Sequence, residues 1–517
     1  MGESMKKGLF YISITVIICI LTFTTNIPDL DLWARLAVGS IFSHTGQVLK
    51  HDIYSYVPTK DLWIDHEWGS GVVFYLLVNH FGEWGLFALK ALILLAIFIL
   101  FIKIIKLQTN QEAAGIFYFI FLGFSLLPGI ANLLRCQMFT YLFFTLWIYL
   151  LEKLRCQENK IIIWVFPVSM LFWVNLHGGF LAGIGLVIIY AIGEFLNRQK
   201  YLKYFSVLAL IIPVTLINPY GLKFWNYIID ASLMTRPGIL EWAPISLNGP
   251  FHIIKGFNIH VYSGFFIFTL LTILVGIKLY LQKASLDWAR IILVVLLLYL
   301  SIKRQRHTAF FLLAIPALFY HHYVKLFEPL WKIIENHLTG KIHKAWAVVK
   351  YSFGYIFLTV IFVFMMPRIS GKIFVDPAVY PVGSLEFIKQ NNISGNVATT
   401  FGWGSYAFWK LYPQCKVLID GRYEEVYPDH IYYSAMQFSE NKGDVQEIIK
   451  KYKTDVLILS KRKYSPADVL NFTDWKPVYE DLSSVLLLPK DKIKDFYMYP
   501  DYNNPIYYKD DLSRIIY

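Results

Sequence analysis

The chain has 517 residues, 56% of them hydrophobic and only 16% charged, with a formal net charge of +12 and an aromatic share of 18%. Soluble domains are nearer a quarter charged, so this balance points to a bilayer rather than an ordinary soluble enzyme. No basic tract interleaved with stacking aromatics occurs in a soluble stretch, so no nucleic-acid partner is expected, and the positive excess suits loops facing anionic membrane lipid. The four cysteines, Cys19, Cys136, Cys156 and Cys415, contain no CxxC pair and form neither a zinc site nor a disulfide framework.

Lys6 and Lys7 precede an apolar run that begins at Gly8. No small-residue cleavage site follows, so the run reads as an uncleaved first helix with its lysines inside. Crossing the hydrocarbon takes about 20 mostly apolar residues, and by that length about eleven spans are expected. They lie near 8–25, 84–105, 112–130, 137–153, 160–176, 179–197, 203–218, 260–280, 288–303, 308–324 and 347–367. With Lys6 and Lys7 inside, the clusters at Lys103/Lys106, Lys153/Arg155/Lys160, Arg198/Lys200/Lys203, Lys278/Lys283/Arg290 and 325–346 all fall on the inner side. The expectation is a multi-pass protein of the cytoplasmic (inner) membrane, N-terminus inside and residues after about 368 outside.

The chain then divides into a transmembrane domain, 1–368, and an extracytoplasmic domain, 369–517. The first outer loop, 26–83, places Leu32 and Leu36, and Trp33, Ala37 and Ile41, at helical spacing, and a second apolar stretch begins at Trp68. Both predict helices lying in the membrane interface. In the tail, 395–400, 416–419, 455–459 and 484–488 read as short buried strands, and 405–411, 429–438 and 445–453 as helices. That pattern predicts a small α/β domain.

The uncommon polar residues fall on the outer face of this topology. Asp29 and Asp31 follow the first span; Asp65, His66 and Glu67 precede the second loop helix; Arg135, Asn175, His177, Asn218, Arg304, Arg306 and His307 sit in later connections. Charges retained at a membrane boundary in apolar connections imply a shared site. Carboxylates can take a proton from an attacking hydroxyl, or hold a divalent ion such as Mg or Mn; Asp29 and Asp31 are the candidate ligands. Arginines match phosphate oxygens with a two-pronged donor set, so Arg135, Arg304 and Arg306, with His307, His177 and Lys90, are candidates to hold a lipid-borne phosphate. Trp33, Trp68, Trp173, Asn175 and Asn218 are candidate substrate-lining residues. Each has a plainer reading beside it: Asp31 as a helix cap, His177 as a satisfied turn histidine, the arginines and Lys90 as snorkelling anchors, the tryptophans as an interface belt.

The stretches Asp29-Leu-Asp-Leu-Trp-Ala-Arg, His51-Asp-Ile-Tyr-Ser-Tyr and His66-Glu-Trp resemble the first outer loop of a bacterial group within the GT-C superfamily of membrane glycosyltransferases. Trp173-Val-Asn-Leu-His-Gly-Gly, Asn218-Pro-Tyr-Gly, Arg304-Gln-Arg-His, Gly402-Trp-Gly-Ser-Tyr and Ile419-Asp-Gly-Arg are similar to the same group. The resemblance implies a GT-C-like, mannosyltransferase-like multi-helix membrane fold, often with a C-terminal extracytoplasmic domain. It also implies a polyprenyl-phosphate sugar donor and a catalytic acidic residue in the first outer loop, a role that falls to Asp29 or Asp31, with Glu67 and His66 beside them. The acceptor would be a lipid-linked glycan, an envelope polymer or a protein. Ala34 departs from the pattern, where a second aromatic is usual. A lipid-linked saccharide flippase and a non-catalytic lipid-binding assembly protein are the alternatives.

Overall fold

In the computed structural model, the described residues are 28–109, 134–157, 160–234, 236, 239–246, 251–254, 257–260, 262–337 and 371–493, with Ile18 and Thr22. The expected spans at 112–130 and 347–367, and nearly all of 8–25, lie outside them. Contacts divide the chain into two compact units. The first comprises Met1–Thr25, Phe87–Leu222 and Ser232–Ser370; the second comprises Asn26–Leu86, Lys223–Ala231 and Gly371–Tyr517. The unit holding the tail thus also takes in the first outer loop.

The first unit is built of apolar helices. Each remaining expected span falls on a helix, among them Glu83–Thr109, Gln137–Cys156, Lys160–Leu176, Leu181–Leu196, Leu202–Val214, Ser263–Leu281, Trp288–Lys303 and Thr308–His337. Among the described residues, four helical stretches are long and apolar enough to cross a membrane: Glu83–Gln108, Gly178–Leu196, Ser263–Leu281 and Gln305–Pro329. Lys160–Leu176 shows why the sequence is so hydrophobic. Ile162, Phe166, Met170 and Trp173 are buried on one face, while Ile161, Trp164, Val168 and Phe172 are exposed on the other. A helix apolar all round needs a non-aqueous surrounding for its outer face. A short antiparallel pair, β1 (Phe251–Ile254) and β2 (Phe257–His260), precedes Ser263–Leu281.

At one end of these helices the charges form a closed network. Glu152 accepts from Arg155 (3.2 Å), Arg290 (3.0 Å) and Tyr190 (2.8 Å), and Arg155 also reaches Glu194 (2.9 Å) and Asp287 (3.0 Å). Arg155 and Arg290, expected only as positive loop charges, therefore join three helices through half-buried pairs. Backbone contact supports the same junction: a Cβ on Gly193 would lie 2.3 Å from the Ala289 Cα.

The second unit holds a mixed five-stranded sheet of β3 (Gly395–Ala398), β4 (Cys415–Val417), β5 (Val456–Ser460), β6 (Trp475–Glu480) and β7 (Ser484–Pro489), in the order β4-β3-β5-β7-β6. β3 runs parallel to β4 and β5, and β7 antiparallel to β5 and β6. Phe401–Leu411, Asp429–Ser439 and Val445–Lys451 are helical, close to expectation. β6 escaped the sequence reading because it is a half-exposed edge strand with Pro477 and an irregular register at Pro477/Tyr479.

The first loop is part of this unit's core. Leu30–Thr45 and Trp68–Phe81 cross so closely that a Cβ on Gly39 would stand 2.1 Å from the Gly71 carbonyl oxygen. Every residue from Leu32 to Ser40 is buried. From Leu32 to Ser40, Leu30–Thr45 is therefore a core helix rather than the interfacial helix expected, because protein covers every face of that stretch. Tyr54 to Tyr56 lie along the edge of β4, with Val417 donating to the Tyr54 carbonyl (2.9 Å) and Tyr56 to that of Val417 (3.2 Å).

Candidate functional site

In the second unit, Asp29 is the N-cap of Leu30–Thr45, its Oδ1 accepting the Asp31 backbone N–H at 3.0 Å. Asp31 sits in the first turn of that helix, where the helix dipole favours a carboxylate. Its Oδ1 is 3.2 Å from where a Cβ on Gly421 would be, and the buried Ser405 Oγ is 3.6 Å from the same point. The Asp31 carboxylate thus lies against bare backbone at the Asp420-Gly421-Arg422 turn.

One helical turn beyond Asp31, the buried Arg35 gathers the other acidic residues of the loop. It pairs with Asp65 and approaches Glu67 (3.7 Å) and Glu425 (3.8 Å). His66 lies 3.0 Å from Glu425 and 3.6 Å from Glu67, and its Nδ1 is 3.3 Å from the Tyr227 hydroxyl. Trp63 Nε1 donates to Glu425 at 3.0 Å. Burial works against a charged imidazole, but Glu425 and then Glu67 outweigh it and raise the His66 pKa to about 9. His66 is therefore a cation at neutral pH, completing an ionic knot with Arg35. Glu425 was missed from sequence, since nothing in the spacing ties it to residues some 360 positions earlier.

The sign of the pH effect follows. A histidine whose folded pKa is raised contributes stability below its unfolded value, near 6.5, and that contribution is lost as pH climbs through about 9. The denaturation midpoint of the full chain in detergent should fall between pH 7 and 9, and His66→Gln should flatten that slope. Parallel slopes for both proteins would contradict a charged His66.

The Asp420-Gly421-Arg422 turn is structural. The buried Arg422 donates to Asp420 (2.7 and 2.8 Å) and pairs with Asp52, while Tyr54, Phe408 and Trp63 surround its guanidinium at 5.2, 5.0 and 4.7 Å. Asp52 also accepts from the Ser55 backbone at 2.8 Å. Trp33, expected to line substrate, is wholly buried against Tyr406 (4.8 Å), so no sugar reaches its face. Trp68 opens the second loop helix, half-buried against Phe42 (5.5 Å).

In the first unit, the arginines expected to meet a phosphate do converge. Arg135, just before Gln137–Cys156, pairs with Glu241 at 2.7 Å, and Arg306 pairs with the other oxygen of Glu241 at 3.2 Å. Trp242 is ringed by the guanidiniums of Arg236, Arg304 and Arg306, at 4.0, 4.5 and 4.5 Å. Hydrogen bonds hold this segment on the end of Trp288–Lys303: Ile245 donates to the Ile302 carbonyl (3.2 Å), and Gln305 to that of Ala243 (2.9 Å). Two guanidiniums thus share the Glu241 carboxylate, and three surround the neighbouring Trp242 ring. Burial would push Glu241 up, but Arg306 and Arg135 hold it below the usual carboxylate range. Burial, then repulsion from Arg236 and Arg306, lowers the Arg304 pKa. Arg236, Glu241 and Trp242 were missed from sequence; a Glu-Trp pair beside an arginine in an apolar connection was the signal.

The remaining candidates have structural tasks. His177 Nδ1 accepts from the Gly179 N–H (2.8 Å) and lies 2.9 Å from Thr140 Oγ1, which also accepts from Trp173 Nε1 (2.8 Å). Trp173 is fully buried between Trp147 and Phe143, beyond any sugar's reach. Asn175 donates to the Leu171 and Ile217 carbonyls, and Asn218 caps the turn at Tyr220 and Gly221. His307 lies 3.3 Å from the Leu300 carbonyl and, with Arg304, lines a cavity of about 230 Å³. Lys90 is buried within Glu83–Thr109. Among the described residues, no group of three or more His, Cys, Asp or Glu side chains is placed to hold a metal ion.

No protein-family model and no curated protein sequence matches the chain. Solved structures do. The Archaeoglobus fulgidus oligosaccharyltransferase in its apo form matches with a TM-score of 0.57 at 10% identity, over 89% of this chain and 70% of that one. The archaeal oligosaccharyltransferase AglB of that organism, in complex with an inhibitory peptide and a dolichol-phosphate, matches equally, over 88% and 70%. ArnT from Cupriavidus metallidurans bound to undecaprenyl phosphate matches with a TM-score of 0.50 at 13% identity, over 93% and 97%. The chain shares the fold of these structures. That fold, with four helices among the described residues long and apolar enough to cross a membrane, supports a multi-pass membrane protein.

Proposed function

We propose that this GT-C-fold chain is a glycosyltransferase that moves a hexosyl or pentosyl group from a polyprenyl-phosphate donor to an extracytoplasmic glycan, lipid or protein acceptor. The observation that carries the reading is the arginine centre. Arg135 and Arg306 share the Glu241 carboxylate while Arg236, Arg304 and Arg306 ring the Trp242 indole, and such a cationic cluster gains when an anion with several oxygens joins it. The fold supports the same ligand, because two of the similar structures contain a dolichol-phosphate or undecaprenyl phosphate.

In this reading the acceptor oxygen forms a bond to the anomeric carbon as the bond from that carbon to the phosphate oxygen breaks. The electron pair leaves with the lipid phosphate. Asp31 takes the acceptor's proton; Asp29 is the less suitable base because it caps the helix. A divalent ion, if bound, would be held by Asp29 and Asp31 and would neutralise charge on the leaving phosphate. We further propose about eleven spans, with the N-terminus inside, the arginine centre facing outside and the tail's sheet extracytoplasmic.

The test is photo-crosslinking of the full chain in nanodiscs with a diazirine-bearing polyprenyl phosphate. Labelling should be competed by unmodified polyprenyl phosphate and fall about tenfold in Arg135→Gln/Arg306→Gln, as expected from losing two charge-assisted contacts. Labelling unaffected by the double variant would remove the observation on which the reading stands.

A further inference from the structure

The first unit carries a second basic site, far from the arginine centre along the same helices. Lys325 stands about 25 Å from the start of Thr308–His337, at 1.5 Å of rise per residue, whereas Arg304 and Arg306 lie just before that start. Lys278 is in the last turn of Ser263–Leu281, and its ammonium donates to the Lys325 carbonyl at 2.9 Å, leaving two further N–H donors. Lys278, Gln282, His322, Lys325 and Glu328 line an open cavity of about 420 Å³ between these two helices.

The surroundings identify the ligand's other half. Leu270, Ile273, Leu274 and Ile277 are all exposed, forming an apolar stripe that runs along Ser263–Leu281 to Lys278. Tyr280 and Leu281 are exposed at the end of the same helix. An apolar track ending in two ammonium groups fits a molecule with acyl chains and an anionic head. We propose that this groove binds the headgroup of an anionic glycerophospholipid, in the leaflet opposite the arginine centre. The stripe favours a lipid over free phosphate. The proposal does not depend on the transferase reading.

Native mass spectrometry of the detergent-solubilised full chain tests it, with phosphatidylglycerol and phosphatidylcholine offered at equal concentration. Phosphatidylglycerol should be retained at least about fivefold better, the difference disappearing in Lys278→Gln/Lys325→Gln and persisting in Lys278→Arg/Lys325→Arg. Arg306→Gln should leave it unchanged. Equal retention of the two lipids by the wild type would overturn the proposal whatever the variants do. So would wild-type retention in the double Gln variant, or displacement of phosphatidylglycerol by equimolar undecaprenyl phosphate or by millimolar inorganic phosphate.

Discussion

Asp31→Asn should lower turnover by about 10²–10⁴-fold, the usual share of a general base. The fold should survive, since a first-turn carboxylate contributes only about 0.3–1 kcal/mol through the helix dipole. Asp29→Asn separates capping from chemistry: asparagine caps a helix about as well as aspartate, so stability should remain, while a loss of turnover that added Mg or Mn restores would report the proposed ion. Gly421→Ala sharpens the assignment. Its new methyl would press on Asp31 Oδ1 at 3.2 Å, and misplacing a reacting group in this way should reduce kcat more than it raises KM. The measurement is sugar transfer from a polyprenyl-phosphate donor by purified protein in nanodiscs. Wild-type turnover in Asp31→Asn would end its role as base. With lipid phosphate still bound at the arginines, that result would leave a non-catalytic lipid-binding protein.

Arg422→Met should destabilise the protein by about 3–5 kcal/mol, the usual penalty for breaking a buried ion pair from one side. The loss exceeds that of an exposed pair because Asp420 and Asp52 would both stay buried without their cation. Burial acts against the Arg422 charge, and the two carboxylates more than compensate, so its pKa lies well above the ordinary value. Lysine should not rescue. The guanidinium donates through both Nε and Nη2 to Asp420 while stacked among three aromatic rings, a geometry an ammonium cannot reproduce. The readout is the denaturation midpoint in detergent. An unchanged midpoint in Arg422→Met would show that the turn tolerates losing its cation.

The structure also changes what several motifs mean. His51-Asp-Ile-Tyr-Ser-Tyr and Ile419-Asp-Gly-Arg, distant in the chain, are two halves of one buried contact through Asp52, Ser55, Asp420 and Arg422. Asp-His-Glu is likewise paired, through Arg35 and Glu425, rather than presented alone. By contrast, the arginines singled out in sequence do come together: Arg135, from one connection, shares Glu241 with Arg306, and Arg306 shares Trp242 with Arg304 of its own connection.

Local chemistry was readable without coordinates. Runs of about 20 apolar residues leave a helix as the one way to satisfy every backbone group in lipid, so each expected span among the described residues falls on a helix. Alternating short apolar runs with turn residues likewise placed β3, β4, β5 and β7 within a few positions. Partnership was not readable. Which cation meets Glu425, or that Arg236 and Trp242 join Arg306, depends on packing between segments tens to hundreds of residues apart. An ion pair or a ring contact has no period along a chain, so only the tertiary structure could decide it.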